Sequence, residues 1–317
     1  TSGLALRDRL IAYLPRYAPI AARLARLING ATQLPAAQLL QEKLTGFSRH
    51  RALPRWHTGT PLPRSLSLPA GDGPEVVVLF DTFTRYFEPE NGHALISVLR
   101  KLGCRVQIAG DINARPLCCG RTFLSAGLID EARTEARRLI SALTPHLERG
   151  TPIIGLEPSC LLTLRDEYPA LLTASLTKKL SEQSLLLEEF IARSHEQLRF
   201  DFETTASCRV AIHGHCHQKA FATLDAMTSA LQLFPGIEPE FITSSCCGMA
   251  GAFGYQRETY DVSLQMAELS LLPAIRKLPD TDFIVANGTS CRTQIMHGTS
   301  RQAFHLAVLL DQRLTGH

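Results

Sequence analysis

Glu75-Val-Val-Val-Leu-Phe80 is the stretch on which the reading of the fold turns. Past its glutamate it is short, wholly apolar and rich in valine, and Gly71-Asp72-Gly73-Pro74 stands in front of it. A run of that kind, bounded by turn residues, suits a strand buried on both faces of a parallel sheet, because such a strand has no wet face for polar residues to occupy. Outward from it, the pattern predicts a helix over about 92–102, a strand over 106–109, a long helix over about 123–147 and a strand over 153–156. Strands that alternate with helices argue for βαβ units. The same order then recurs: a strand over 209–212, a helix over about 218–233, a strand over 240–242, a helix over about 256–271 ending near Pro273, a strand over 283–286, and a last helix from about 301.

The cysteines repeat with the elements. Cys118-Cys119-Gly120 matches Cys246-Cys247-Gly248, and Pro158-Ser159-Cys160 matches Thr289-Ser290-Cys291. Each follows an expected strand, and ligands of open α/β sheets bind beyond the carboxyl ends of the strands. The expected fold is therefore α/β: two pseudo-symmetric units, each with a short parallel sheet flanked by helices, behind an N-terminal helical segment. We expect the divisions at 1–74, 75–200 and 201–317.

The second unit is the better furnished. Its first strand runs into His213-Gly-His-Cys-His217, its middle strand into Cys246 and Cys247, and its last into Cys291. Three strand ends thus offer four thiols, Cys216, Cys246, Cys247 and Cys291, to one site. Thiolates bind soft or borderline metals, and four of them match an iron–sulfur cluster or a structural zinc. Structural zinc usually spaces its ligands by two or more residues. Neighbouring side chains of an extended chain point opposite ways, whereas a cluster offers several irons that a bent Cys-Cys can reach. The glycine that follows permits such a bend. Unliganded structural or redox cysteines, a vicinal disulfide among them, are the third reading. Alternation would put His213, His215 and His217 on one face, either as hydrogen-bond partners of the site or as metal ligands or proton carriers.

In the first unit, Phe80 set against Ile212 brings Thr84 to the position of Cys216. That leaves Cys118, Cys119 and Cys160, which hold a cluster only if another group completes the set; the alternatives are an acceptor surface and a remnant kept for packing. Cys104, before a strand, reads as a core residue.

Residues 1 to about 50 read as helices, with Leu10, Tyr13 and Leu14, and then Ile20, Leu24, Leu27 and Ile28, at helical spacing up to Asn29-Gly30. A linker with Pro54, Pro61, Pro63 and Pro69 follows. Arg16, Arg23, Arg26 and the Arg49-His50-Arg51 run read as a solvated basic face or as a dock for an acidic partner. The net charge of +3 over 317 residues is too small to imply nucleic acid, and 45% apolar residues suffice for a core. No stretch is apolar enough for a transmembrane span, and no signal peptide shows. The chain opens on Thr1 rather than Met, so it is expected to be trimmed or part of a longer polypeptide. Nine cysteines, an odd number, favour a reducing compartment. The expected location is the cytoplasm, either free or peripheral at the inner face of the membrane.

At these residues the sequence resembles the cysteine-rich (CCG) domain of heterodisulfide reductase. The same domain occurs in the glycolate oxidase iron–sulfur subunit, in anaerobic glycerol-3-phosphate dehydrogenase and in lactate-utilisation proteins. Asp81-Thr-Phe-Thr-Arg-Tyr-Phe-Glu-Pro89, Leu117-Cys-Cys-Gly-Arg-Thr122, Leu156-Glu-Pro-Ser-Cys160, His213-Gly-His-Cys-His-Gln218 and Ser245-Cys-Cys-Gly-Met-Ala-Gly-Ala-Phe-Gly254 are similar to the C-terminal region of FAD-linked D-lactate and D-2-hydroxyglutarate dehydrogenases with iron–sulfur domains. The resemblance covers about residues 75–317. It implies a 4Fe-4S cluster and an electron-transfer role between flavin and a downstream acceptor. It also implies that FAD and a ferredoxin-type cluster lie on another domain or subunit, since this sequence has neither a Gly-x-Gly-x-x-Gly opening a helix nor a ferredoxin cysteine run. The heterodisulfide reductase units have a Cys before the pair and end in Cys-x-x-Cys. Here Thr84 precedes the first pair, and the tails read Cys160-Leu-Leu-Thr163 and Cys291-Arg-Thr-Gln294. A four-thiolate cluster in the second unit is what these residues support directly. Arg121 and Arg292, beside the cysteine motifs, are either charges on a cluster or surface residues. A thiol–disulfide reductase module and a zinc-stabilised interaction domain are the competing functions.

Overall fold

The valine run forms a strand with no solvent face. In the computed structural model, which describes residues 3–59, 61–63, 73–111, 114–172, 176–202 and 207–314, β1 (Glu75–Val78) pairs in parallel with β2 (Arg105–Ile108) and with β3 (Ile153–Gly155). Val76 and Val78 enter one core with Leu95 and Leu99, and Val77 enters another with Leu139 and Leu143. β4 (Ser184–Leu186) joins the far side of β3, giving a four-stranded sheet of order β2-β1-β3-β4. In the second unit β5 (Cys208–Ile212) lies between β6 (Ile237–Phe241) and β7 (Phe283–Val285), again all parallel. Each sheet has its first strand flanked by its second and third, so the units repeat in topology as well as in motif.

The repeat extends past the sheets. Phe304 takes the place beside β7 that β4 takes beside β3: it forms a parallel bridge with Val285, donating to Ile284 O at 2.8 Å and accepting from Ala286 N at 2.9 Å. A helix follows in both cases, and the two are exchanged. Leu187–Ser194, after β4, packs on Leu224–Leu231 of the second unit; Leu306–Asp311 packs on Pro89–Lys101 of the first. Lys101 Nζ fastens the latter, to Asp311 O at 2.8 Å and its carboxylate at 2.9 Å. One core consequently combines Val78 and Leu99 with Ile212, Leu231 and Leu310. Each such leucine contributes about 1.5–3 kcal/mol by burial, so separating the units would expose apolar surface on both.

Several elements differ from the sequence reading. The expected helix over 123–147 is two, Arg121–Ser125 and Ile129–Glu148, broken near Gly127, whose φ is +73°. That over 218–233 is Cys216–Ala220 and Leu224–Leu231, with Ala222 between them at φ +52°. That over 256–271 is Tyr260–Glu268 and Leu271–Lys277. Pro273 lies in the first turn of the latter, where its missing N–H costs no helical bond, and ends nothing. The helix Thr289–Thr299, which carries Cys291, was not foreseen, and the C-terminal helix begins only at Leu306. β4 also escaped the reading, since it runs directly from the helix Leu176–Gln183 into Leu187–Ser194 with no turn residue to bound it. Much of the expected proline-rich linker, Pro69 included, lies outside the described residues.

The N-terminal segment is helical, over Leu6–Ala12, Leu14–Ala21, Ala25–Ala31 and Pro35–Thr45. Its period is as expected but its direction is not: Ile20, Leu24 and Leu27 are 64%, 49% and 73% exposed. The basic run also divides. Arg49 and His50 are exposed, while Arg51 is 2% exposed and so is no part of a solvated face. Among the described residues no helix is long and apolar enough to cross a membrane.

His305 joins the C-terminal helix to the first sheet. Its Nδ1 accepts from Ala307 N at 3.0 Å and caps the helix, and its Nε2 lies 3.2 Å from Leu156 O, just past β3. Burial pushes the imidazole down to about 3. The unfolded chain, with an imidazole near 6.5, therefore binds more protons than the folded one between these values, and folding stability falls as pH drops through that window. Urea midpoints measured from pH 7 to pH 4 should fall for the wild type and fall less steeply for His305→Gln; equal slopes would refute this role.

Candidate metal centre

The strand ends place the four thiols of the second unit in one row. β5 ends at Ile212, and Cys216 opens the helix Cys216–Ala220. Cys246 and Cys247 follow β6, and Cys291 lies in the first turn of Thr289–Thr299, after β7. Cys216 is within hydrogen-bond reach of Cys246, Cys246 of Cys247, and Cys247 of Cys291. The row runs from the apolar core, where Cys247 and Cys291 pack with Met249 and Ile284, to the surface at Cys216.

Gly248 makes the bend. Its φ is +84°, its N–H donates to Cys246 Sγ at 3.3 Å, and a Cβ there would stand 2.2 Å from Ser263 O. Gly120 repeats the arrangement in the first unit, with φ +81° and a 3.3 Å N–H bond to Cys118 Sγ.

The four sulfurs divide their protons. Contact with Cys216 and Cys247 holds the Cys246 thiol below its ordinary value, and contact with Cys247, helped by His213, does the same for Cys291. The same neighbours, with burial, push Cys216 and Cys247 up. Four adjacent sulfurs cannot all ionise without a cation among them, and a soft metal is the cation that such a set fits.

Alternation does not carry through the histidines, because the strand stops before them. His213 is buried, with Nδ1 2.8 Å from Ser244 Oγ and ligand atoms of Cys247 and Cys291 within 4.8 Å. His215 caps the helix of Cys216, accepting from His217 N at 3.2 Å, and His215 N donates to Gln218 Oε1 at 3.0 Å. Its ring stacks on that of His217. Gln218 Nε2 in turn donates to the buried Glu188 at 2.6 Å, as does Asn287 Nδ2 at 3.0 Å. Burial raises that carboxyl to about 7.

In the first unit Cys119 is within hydrogen-bond reach of both Cys118 and Cys160. Thr84 does not stand where Cys216 does: Val78 holds the strand position of Ile212, and Asp81 caps its helix as His215 caps that of Cys216, which sets Thr82 opposite Cys216 and Thr84 two residues further on, its hydroxyl donating to Asp81 Oδ2 at 2.6 Å. Asp81 caps the helix Thr82–Tyr86, accepting from Phe83 N and Thr84 N at 2.8 and 2.9 Å. Burial, then Glu157, raises its carboxyl to about 6. Cys119 donates to Cys160, yet burial with the charges of Asp81 and Glu157 brings Cys160 up to about 11. This is a harder, more acidic setting than the second site. Cys104 lies in the shared core, apart from both sites, and burial raises it to about 12.

Two carboxylates of the first unit hold the start of the helix that bears Cys291. Glu157 Oε2 accepts from Thr289 N at 2.9 Å, while its Oε1 accepts from Ser159 Oγ at 2.7 Å beside Cys160. Glu88 accepts from Thr289 Oγ1 at 2.7 Å and pairs with Arg292. Arg292 is therefore a buried, neutralised cation, and Arg121 is likewise paired, with Glu167. Neither is a lone charge on a cluster or a plain surface residue. Sequence separations hid these pairs; Glu88 and Arg292 lie more than two hundred residues apart.

The family model of the CCG cysteine-rich domain matches residues 77–165 and 210–296. The chain belongs to that family, in tandem. It is 27% identical to a subunit of anaerobic glycerol-3-phosphate dehydrogenase from Escherichia coli K12, over 99% of this chain and 78% of that protein. It is 27% identical to D-2-hydroxyglutarate dehydrogenase of the same organism over 92% of this chain but 29% of that protein. It is 25% identical to lactate utilization protein A of Macrococcus caseolyticus over 75% of this chain and 97% of that protein.

Proposed function

We propose that this chain is the electron-transferring, iron–sulfur part of an FAD-linked dehydrogenase, and that Cys216, Cys246, Cys247 and Cys291 hold a 4Fe-4S cluster. The observation that carries the proposal is the row of four thiols reaching from the core to the surface at the carboxyl end of one sheet. A bound cluster would take up and return single electrons. The chain's own residues would then bind it, shield Cys247 and Cys291 from water, donate to Cys246 from Gly248 N, and leave the Cys216 end open to a partner. Flavin and a ferredoxin-type cluster would lie on another domain or subunit, and the exposed Ile20, Leu24 and Leu27 on the N-terminal helices would suit its docking. The motifs point to a D-2-hydroxyacid of the lactate or 2-hydroxyglutarate type as substrate. The relatives named for glycerol 3-phosphate, hydroxyglutarate and lactate share the theme of small hydroxylated substrates. Cys118, Cys119 and Cys160 are the first unit's candidate ligands.

One observation favours a second reading, a single zinc ion: His213, Cys247 and Cys291 offer ligand atoms within 4.8 Å of one another, a donor set that structural zinc accepts. Iron, sulfide and zinc contents of anaerobically isolated protein separate the two.

The functional test uses the chain alone and joined to its FAD-bearing part. Alone it should not oxidise 2-hydroxyacids. In the complex, Cys247→Ser should spare reduction of the flavin by substrate and slow its reoxidation by the downstream acceptor, as resolved by stopped-flow spectroscopy. A variant blocked in flavin reduction, with normal reoxidation, would overturn the relay role.

A further inference from the structure

The N-terminal segment is strapped along the loop that follows Cys246-Cys247-Gly248. Phe47 and Gln256 form an antiparallel bridge, Ser48 N–H donates to Tyr255 O at 2.8 Å, and Arg257 N–H donates to Gly46 O at 2.9 Å. The strap delivers Arg51 into the interior. Arg51 is 2% exposed, and among the described residues none of its Nε, Nη1 and Nη2 atoms has a hydrogen-bond partner. Its guanidinium lies over the ring of Tyr260, 5.2 Å from the centroid. Tyr255, to whose carbonyl the strap is bonded, packs against the cluster that holds Cys247 and Cys291; the acidic groups that bear most on the charge of Arg51 are Tyr255, Tyr260 and Cys247, and at neutral pH the tyrosines carry none. Burying a cation without an anion is costly, and proteins pair such charges or remove them. The one of the three that a metal would make anionic is Cys247, whose sulfur a bound cation would strip of its proton.

We infer that Arg51 is the fixed counter-charge of the metal-bound thiolates of the second unit, carried there by the N-terminal segment, and that it raises the reduction potential of the cluster they hold. The inference rests on the reading of that site as an iron–sulfur centre. Reduction adds negative charge to a cluster, and a fixed cation in a dry setting stabilises the more negative state. Without metal the same cation is unpaired. Arg51 is thus a liability to the empty protein and an asset to the loaded one. A residue kept only for packing would not show that crossed signature.

The test compares wild type, Arg51→Met and Arg51→Lys, each metal-free and after anaerobic loading with iron and sulfide. Methionine keeps length and apolar contact with Tyr260 and removes the charge; lysine keeps the charge. Metal-free Arg51→Met should unfold at a denaturant concentration equal to or above that of the wild type. Loaded Arg51→Met should show a lower midpoint potential in a spectroscopic redox titration and should lose iron faster to a chelator. Arg51→Lys should restore both toward wild-type values. Wild-type protein that takes up no cluster would overturn the reading of the site and this inference with it. Wild-type protein that loads, while all three share one midpoint potential, would overturn the inference alone.

Discussion

Cys247→Ser should leave the chain without iron and sulfide in its second unit, whereas Cys104→Ser should load as the wild type does. Cys247 lies within the row, within reach of both Cys246 and Cys291, so its loss leaves three thiols, one short of the set that holds a 4Fe-4S cluster. A serine hydroxyl is a harder and far less acidic ligand than a thiol and does not replace it for a soft metal. Cys246→Ser should fail in the same way, and it also removes the acceptor of the Gly248 N–H bond. Cys104 receives the same chemical change in the shared core, away from either row, and costs about 1–3 kcal/mol for a buried hydroxyl without touching a ligand. Iron and sulfide content and visible absorption, measured beside the circular dichroism of each variant, decide the matter. Equal losses in all three would mean that the substitutions act through folding.

Gly248→Ala should be among the most damaging single methyl additions to this protein, and Gly120→Ala a milder one. Both glycines hold the left-handed backbone, which costs an ordinary residue about 1–2 kcal/mol. At Gly120 the added carbon would meet Ala132 O at 3.2 Å, which a small shift relieves. At Gly248 it would stand 2.2 Å from Ser263 O, inside the helix Tyr260–Glu268, and 3.2 Å from Met266 Cβ. Relief there means moving the helix or opening the Cys246-Cys247 bend, so a total loss of about 4 kcal/mol or more is expected, in the range reserved for overpacking and backbone strain. Urea denaturation of the two variants reads the difference. Similar losses at both positions would show that the backbone conformation, and not the helix behind Gly248, sets the cost.

Local pattern told a good deal. The valine-rich run before Phe80, the short apolar run ending at Ile212, turn residues and the doubled Cys-Cys-Gly located six of the seven described strands within a few residues and implied that four thiols meet at one end of the second sheet. Strand direction and sheet topology follow from short-range periodicity together with the few ways in which βαβ units connect. Helix ends were less legible. Gly127 and Ala222 break helices whose apolar period continues across them, and Pro273 reads as a stop when it sits in a first turn.

What the sequence by itself determined is therefore the repeat, the parallel strands and the identity of the thiols, because each is written in residues close together in the chain. Only the tertiary structure decided which groups surround them. It exchanged the helices Leu187–Ser194 and Leu306–Asp311 between the units, and turned Ile20, Leu24 and Leu27 outward. It set Glu157 of one unit against Thr289 of the other, and took Arg51 from an apparently wet basic run into the interior, over the ring of Tyr260. Those partners lie far apart in the chain, and a side chain's charge says nothing of its surroundings. Burial and pairing belong to the packed molecule, where desolvation decides which charges need a partner.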